Sequence, residues 1–137
     1  MEHGKERLQA YMQIVDANII LRYILDDNET LSLKSRRIID ENVVEVPIEV
    51  LCEVVFVLSS VYKVERDRIS LELLAFFENT SCELHHREAV LKGLELFSKN
   101  NLDFVDCILA GYRIILKAQV YTFDNKLLKV LNLSKAP

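Results

Sequence analysis

The chain has 137 residues, of which 50% are apolar, and its formal net charge is −4. This length accommodates one compact domain with a substantial core and is too short for two ordinary ones. The charge argues against broad attraction to nucleic acid, although carboxylates clustered around bound cations would account for it. No apolar run approaches the roughly 20 residues of a membrane helix, and the polar N-terminus lacks a secretory signal, so we expect a cytoplasmic protein with no membrane partner.

The predicted elements alternate between short strands and helices. Residues 1–11 are interpreted as an N-terminal extension, followed by one domain over residues 12–137. Mostly β-branched or aromatic runs predict brief strands at 13–16, 43–46, 82–84 and 119–123. Apolar periodicity predicts helices at 19–27, 30–42, 47–64, 66–80, 87–100, 103–118 and 125–133, the first of them capped by Asn18. This alternation predicts an α/β fold, with a parallel sheet covered by helices and ligands bound at the carboxyl ends of its strands.

Four acidic residues interrupt apolar runs of the sequence, and they are Asp16, Glu53, Asp106 and Asp124. An ionised carboxylate buried alone is very costly, so each needs a basic partner, a proton or a metal ion. Arg22 and Arg113 are candidate partners, but two arginines leave four acids short, whereas one or two divalent cations satisfy the set. Ligation by carboxylate oxygens alone suits Mg²⁺ or Mn²⁺, and the three cysteines lack the spacing of a zinc site.

The predicted positions of these acids also favour one site. Asp16 and Asp124 each end a predicted strand, which places both at one rim of a parallel sheet, while Glu53 and Asp106 come from helices. Asp103 lies three residues before Asp106, near the same helix N-terminus, and is either a fifth ligand or the cap of that helix. No glycine-rich phosphate loop is present, so metal-dependent phosphodiester chemistry is the remaining hypothesis.

Four motifs in this order resemble the PIN-domain nucleases, in particular the VapC toxin branch of bacterial and archaeal toxin–antitoxin pairs. The opening "IVDANIILRYIL" is similar to the family's Asp-x-Asn motif, and "PIEVLCEVVFVL" is similar to its acidic helix. The segment "NLDFVDCILAGY" resembles its Asp-led helix, and "VYTFDNKLLKVL" resembles its late strand with a Thr-x-Asp motif. The resemblance extends from about Met12 to about Leu131 and implies a three-layer α/β/α sandwich with a short, mostly parallel central sheet.

The resemblance implies that Asp16, Glu53, Asp106 and Asp124 are catalytic and hold Mg²⁺ or Mn²⁺, with Asn18 and Thr122 as supporting groups. It implies an endoribonuclease that hydrolyses RNA phosphodiester bonds, a homodimer, and a cognate antitoxin that covers the acidic site. Two alternatives stay open, namely an RNA-binding or assembly module with the same fold and a housekeeping RNA-processing nuclease.

The sequence also offers candidate contacts for RNA and for protein partners. Basic residues at 34–37 and 63–68, and Arg113 with Lys117, are candidates for phosphate contacts, although mixed charge on a helix face is more often simply solvated. Apolar residues at 54–62 and 71–77 could serve a dimer or antitoxin contact, although core packing is the stronger expectation for most of them.

Overall fold

The computed structural model describes residues 12–133, so the predicted N-terminal extension, residues 1–11, lies outside the described residues, as do residues 134–137. Seven α-helices follow one another in the described part of the chain. They are α1 (Ala17–Leu25), α2 (Glu29–Glu41), α3 (Ile48–Ser60), α4 (Arg66–Asn79), α5 (Arg87–Lys99), α6 (Phe104–Leu116) and α7 (Asn125–Leu133). Each of the predicted helices is present, with its ends shifted by a few residues.

The helices form where the apolar spacing predicted them because each buries one stripe of side chains. In α4, Ile69, Leu73, Phe76 and Phe77 are buried, at the spacing of one helical face. Leu71, on the opposite face of the same helix, is exposed. Because Leu73, Phe76 and Phe77 are buried, the segment 71–77 contributes mainly to the core. The first helix has a different cap from the predicted one, because Asp16, rather than Asn18, accepts a hydrogen bond from the Ile19 N–H at 3.2 Å.

The predicted α/β sandwich with a mostly parallel central sheet is wrong for residues 12–133, which contain no extended strand. Ile14 pairs with Glu45 and Glu45 with Glu83, both in the parallel sense, and each pairing is an isolated bridge. The chain turns into a helix within three residues of both Ile14 and Glu45, which leaves no length for a continuous ladder. These three segments therefore meet in parallel, as predicted, but only at single residues.

The fourth predicted strand, residues 119–123, has no bridge to another described residue. No backbone hydrogen bond joins it to the rest of residues 12–133. Exposure alternates along it, with Val120 packed against the core and Tyr121 and Phe123 exposed by 90% and 102%. The β-branched and aromatic composition is thus present without a partner to pair with.

The core includes the inward residues of the three bridged segments and the buried stripes of the helices. The bridged segments contribute five buried residues to the core, which are Val15, Val44, Val46, Cys82 and Leu84. All three cysteines have free thiols, and Cys82 and Cys107 are buried in the core. No helix within residues 12–133 combines the length and the apolar character needed to cross a membrane.

Two glycines let α5 and α6 approach until their backbones touch. A Cβ atom added at Gly111 would lie 2.3 Å from the Ala89 carbonyl oxygen, and one at Gly93 would lie 3.0 Å from the Cα atom of Ile108. Real Cβ atoms do not approach backbone atoms as closely as 2.3 Å, so the contact requires glycine at 111. This contact fixes α6, whose N-terminus carries Asp103 and Asp106, against the rest of the core.

Candidate functional site

The predicted acids lie at the surface and not in the core, which corrects the expectation drawn from their apolar neighbours. Asp16, Glu53 and Asp124 are exposed, and Asp106 is half-buried. Glu53 and Asp106 interrupt apolar runs because a helix buries only one stripe, whereas Asp16 and Asp124 lie just before a helix begins. Apolar residues beside the acids can be exposed as well. Phe56 on α3 is 63% exposed and Val105 on α6 is 54% exposed.

The N-terminus of α6 presents two aspartates, Asp103 and Asp106. Asp103 occupies the N-cap position, but its side chain makes no capping hydrogen bond, so it is not the side-chain cap that its position suggested. Asp106 follows within the first turn, where the helix dipole favours negative charge. Burial raises the pKa of Asp106 above its ordinary value, and the negative charges of Asp124 and Asp103 raise it further.

The N-terminus of α7 presents Asp124 through two local hydrogen bonds. The Asp124 N–H donates to Thr122 Oγ1 at 3.0 Å, and Asp124 Oδ1 accepts from the Leu127 N–H at 2.9 Å. Asp124 therefore caps α7 with one carboxylate oxygen, while its other oxygen has no partner among the described residues. Asp16 is placed in the same way at the start of α1.

Asp103, Asp106 and Asp124 line one pocket of about 280 Å³, together with Arg66, Asn125 and Lys126. We call this cavity the acidic pocket. A second cavity of about 690 Å³, which we call the groove, shares Asp103, Asp106 and Arg66 with it. The groove extends along α3, where Glu49, Glu53 and Phe56 line it. The structure thus brings Asp106 together with Asp124 in one cavity and with Glu53 in the adjoining one.

Asp16 lines neither the acidic pocket nor the groove. Its neighbour Asn18 accepts a hydrogen bond from Arg22 Nε at 3.4 Å, and Arg22 also pairs with Asp27. Arg22 therefore pairs with Asp27, which is not one of the four predicted acids. Arg113, the other candidate partner, is buried and donates to the Ala118 carbonyl at 3.0 Å, so it is also unsuited to contact RNA.

The five candidate acids form no ion pair within residues 12–133. They are Asp16, Glu53, Asp103, Asp106 and Asp124. The predicted basic patches are partly neutralised by other acids. Arg36 lies 3.2 Å from Asp26, and Arg68 lies 2.8 Å from Glu72. Neither pair involves an acid of the acidic pocket, so both leave the carboxylates of the pocket unpaired.

A hard divalent cation fits the acidic pocket by charge and by donor type. In the described part of the chain, no three carboxylate, imidazole or thiol groups lie close enough together to hold a metal ion. Mg²⁺, however, is commonly held by one or two carboxylates, with water and substrate phosphate oxygens as the other ligands. Asp106 and Asp124 share the pocket and repel each other, as the raised pKa of Asp106 indicates. A cation between them would remove that repulsion.

Arg66, the first residue of α4, lines the acidic pocket, and it was predicted only as part of the basic segment 63–68. Its Nε donates to the Phe97 carbonyl at 3.0 Å, and its Nη2 donates to the carbonyls of Asn100, at 2.7 Å, and Leu102. Its guanidinium carbon lies 3.8 Å from the centre of the Phe97 ring. All these contacts cross from α4 to residues 97–102, so no local spacing in the sequence could have indicated them.

Comparison with known families supports the resemblance on which the site was predicted. The PIN domain model matches residues 14–132, which is most of the chain. Comparison with curated proteins and with solved structures gave no match. PIN domains are generally metal-dependent nucleases, in agreement with the carboxylates that line the acidic pocket. Because the match covers residues 14–132, the chain belongs to the PIN domain family.

Proposed function

We propose that the protein is a metal-dependent endoribonuclease that hydrolyses RNA phosphodiester bonds at the acidic pocket. The observation that carries this proposal is the half-buried Asp106, which lines one cavity with Asp124 and Asp103 and has no basic ion-pair partner in the described chain. Burial, and then the charges of Asp124 and Asp103, raise its pKa. A half-buried carboxylate with acidic neighbours and no ion-pair partner is typical of a site that receives a cation. Membership of the PIN domain family supports the nuclease activity.

In this proposal, Asp106 and Asp124 are the principal ligands of Mg²⁺ or Mn²⁺, and Asp16 and Glu53 complete the catalytic set. Asp103 adds negative charge at the same helix N-terminus. When bound, the cation supplies Lewis acidity that favours in-line attack of water on the phosphodiester. Asp106 lies in the first turn of α6, and Asp124 caps the N-terminus of α7. Thr122 orients the backbone at Asp124 through its hydroxyl group.

Cleavage of a mixed RNA pool by the purified protein tests the proposal. We expect cleavage with Mg²⁺ or Mn²⁺, none with EDTA, and a loss of at least about a hundredfold in Asp16→Ala and Asp106→Ala with the fold intact. Asp40→Asn is the control, because Asp40 is an exposed acid on α2 that lines neither cavity and, unlike Asp16, is not one of the four acids that the family resemblance places in the catalytic set. Full activity in Asp106→Ala, or undiminished cleavage in EDTA, would refute the assignment.

We further propose that the protein is the toxin of a toxin–antitoxin pair and acts as a homodimer. The groove supports an antitoxin contact, because exposed Phe56 and Val105 lie beside Glu53 and Asp106, a surface suited to an apolar segment with a basic side chain. Expression of the chain alone should arrest growth, and a short protein encoded beside it should relieve the arrest. Growth unaffected by the active nuclease would instead favour a housekeeping role in RNA processing.

An RNA-binding or assembly module is the alternative from a different functional class. The absence of a group of three metal-binding side chains within residues 12–133 favours it. The two functions differ in a simple measurement: a module would bind RNA and leave it intact at every metal concentration, whereas the nuclease would cut it.

Ultracentrifugation of the same sample measures whether the protein is a dimer, as proposed above.

A further inference from the structure

The guanidinium group of Arg66 is held in place on one side and free on the other. An arginine side chain has five N–H donors on three nitrogens. Nε and Nη2 of Arg66 donate to three backbone carbonyls, and the Phe97 ring packs against the group. Nη1 makes no hydrogen bond within the described part of the chain. Its two N–H groups are therefore available to a ligand.

Arg66 also keeps its positive charge available, although three aspartates line the acidic pocket with it. None of them comes within ion-pair distance of Arg66 in the described chain. The carbonyl contacts explain this separation, because they hold the guanidinium group toward residues 97–102 and keep it from turning to an aspartate. A cation fixed beside acids, but unpaired with them, suits an anion that enters the same pocket.

We propose that Arg66 Nη1 binds a phosphate of the RNA backbone next to the cleaved bond. This inference rests on the proposed function and adds to it a residue that positions the substrate. Charged hydrogen bonds from arginine to phosphate are short and strong, and an immobilised guanidinium group loses little entropy on forming them. The phosphate must approach Asp103, Asp106 and Asp124, so a fixed positive charge at the pocket offsets the repulsion that these acids exert on it.

Binding of a short fluorescein-labelled oligouridine tests the contact, with anisotropy measured over a range of salt concentrations in Mg²⁺. Every protein carries Asp106→Asn, which keeps the RNA intact. Arg66→Gln should weaken binding about tenfold and make the negative slope of log affinity against log salt shallower by about 0.7, the value for one phosphate contact on a single strand. Arg66→Lys retains the charge and should keep the slope, while its affinity falls because the fixed guanidinium group is lost.

Arg87→Gln is the matched control. Arg87 is also the first residue of its helix and donates to a backbone carbonyl, that of Phe77 at 2.9 Å, but it lines a different cavity. It should change neither the affinity nor the slope. A purely structural role for Arg66 predicts a lower melting temperature in Arg66→Gln with an unchanged salt slope, and that result would overturn the proposal.

Two further outcomes separate this inference from the proposed function. If the protein with Arg66 intact fails to bind oligouridine at low salt, both the RNA-cleaving function and the Arg66 contact are overturned. If it binds and Arg66→Gln has no effect, only the contact is overturned. Should the Arg66 variants not fold, the side-chain ¹⁵N signals of Arg66 in the Asp106→Asn protein must shift when oligouridine is added, and unchanged signals would overturn the contact.

Discussion

The two sides of the acidic pocket are built in different ways. On one side, Asp106 belongs to α6, which packs against α5 through the close backbone contact at Gly93 and Gly111. On the other side, Asp124 follows residues 119–123, which have no backbone hydrogen bond to another described part of the chain. Asp124 is positioned by Thr122 and by its own cap of α7. One acid is thus set by the core and the other by local hydrogen bonds.

This difference predicts which changes alter the fold and which alter only the site. Changes at the α5–α6 contact should destabilise the fold, because the contact is made by backbone atoms that cannot repack. Changes in residues 121–124 should affect activity with little effect on stability, since Tyr121 and Phe123 are almost fully exposed. Any experiment that reverses this pattern contradicts the comparison.

The largest effect is expected from Gly111→Ala. The new Cβ atom would lie 2.3 Å from the Ala89 carbonyl oxygen, so the helices must separate, and we expect a loss of about 3 kcal/mol or more in the free energy of unfolding. Gly93→Ala should cost less, because its nearest backbone contact is at 3.0 Å. Urea denaturation measures both variants, and equal stability of Gly111→Ala and the wild type would show that the contact does not fix α6.

An intermediate effect is expected from Thr122→Val. This change removes the hydroxyl group that accepts from the Asp124 N–H. A hydrogen bond contributes about 1 kcal/mol net, which corresponds to roughly a fivefold loss of RNA cleavage, with stability nearly unchanged. Thr122→Ser keeps the hydroxyl group and should retain most of the activity. Equal cleavage rates for the Val and Ser variants would show that the hydroxyl group does not position Asp124.

The smallest effect concerns the stability of Asp106→Asn in EDTA. Because the pKa of Asp106 is raised in the folded state, the folded protein binds this proton more tightly than the unfolded chain does. The corresponding stabilisation is present at acid pH and is lost as the pH rises through the raised pKa. At neutral pH the variant should therefore be more stable than the wild type, by less than about 1 kcal/mol for a partly exposed group.

Thermal unfolding between pH 3 and pH 7 measures this difference, which should shrink toward acid pH. Added Mg²⁺ should reverse the order by stabilising the wild type alone. A variant less stable than the wild type in EDTA at neutral pH would contradict the electrostatic account of Asp106.

The helices could be predicted from the sequence because a buried stripe at helical spacing is a local signal. The buried positions of α4, from Ile69 to Phe77, show that signal directly. The prediction of strands failed because a strand is defined by hydrogen bonds to a neighbouring segment, and such pairing is not a local property of the sequence. Residues 119–123 have the composition of a strand and no pairing partner in the described chain, and composition alone cannot reveal that.

The sequence named Asp106 and Asp124, which line one cavity, but did not predict how exposed the acids are. The order of the acidic motifs indicated the family, which the match over residues 14–132 then confirmed. The apolar letters around Asp16 and Glu53 suggested burial, yet both side chains are exposed at element ends or on a groove-facing helix. Arg66 was not singled out from its basic segment, since its role depends on contacts with residues about thirty positions away.

The most direct test of the central claim is Mn²⁺ binding to the purified protein, followed by electron paramagnetic resonance. The account predicts that the wild type binds Mn²⁺ and that Asp106→Asn and Asp124→Asn each weaken binding by at least about tenfold. Asparagine can still cap α7, so Asp124→Asn removes a charged ligand and keeps the helix start. Asp40→Asn should bind as the wild type does. Equal Mn²⁺ affinity in the wild type and in Asp106→Asn would contradict the account.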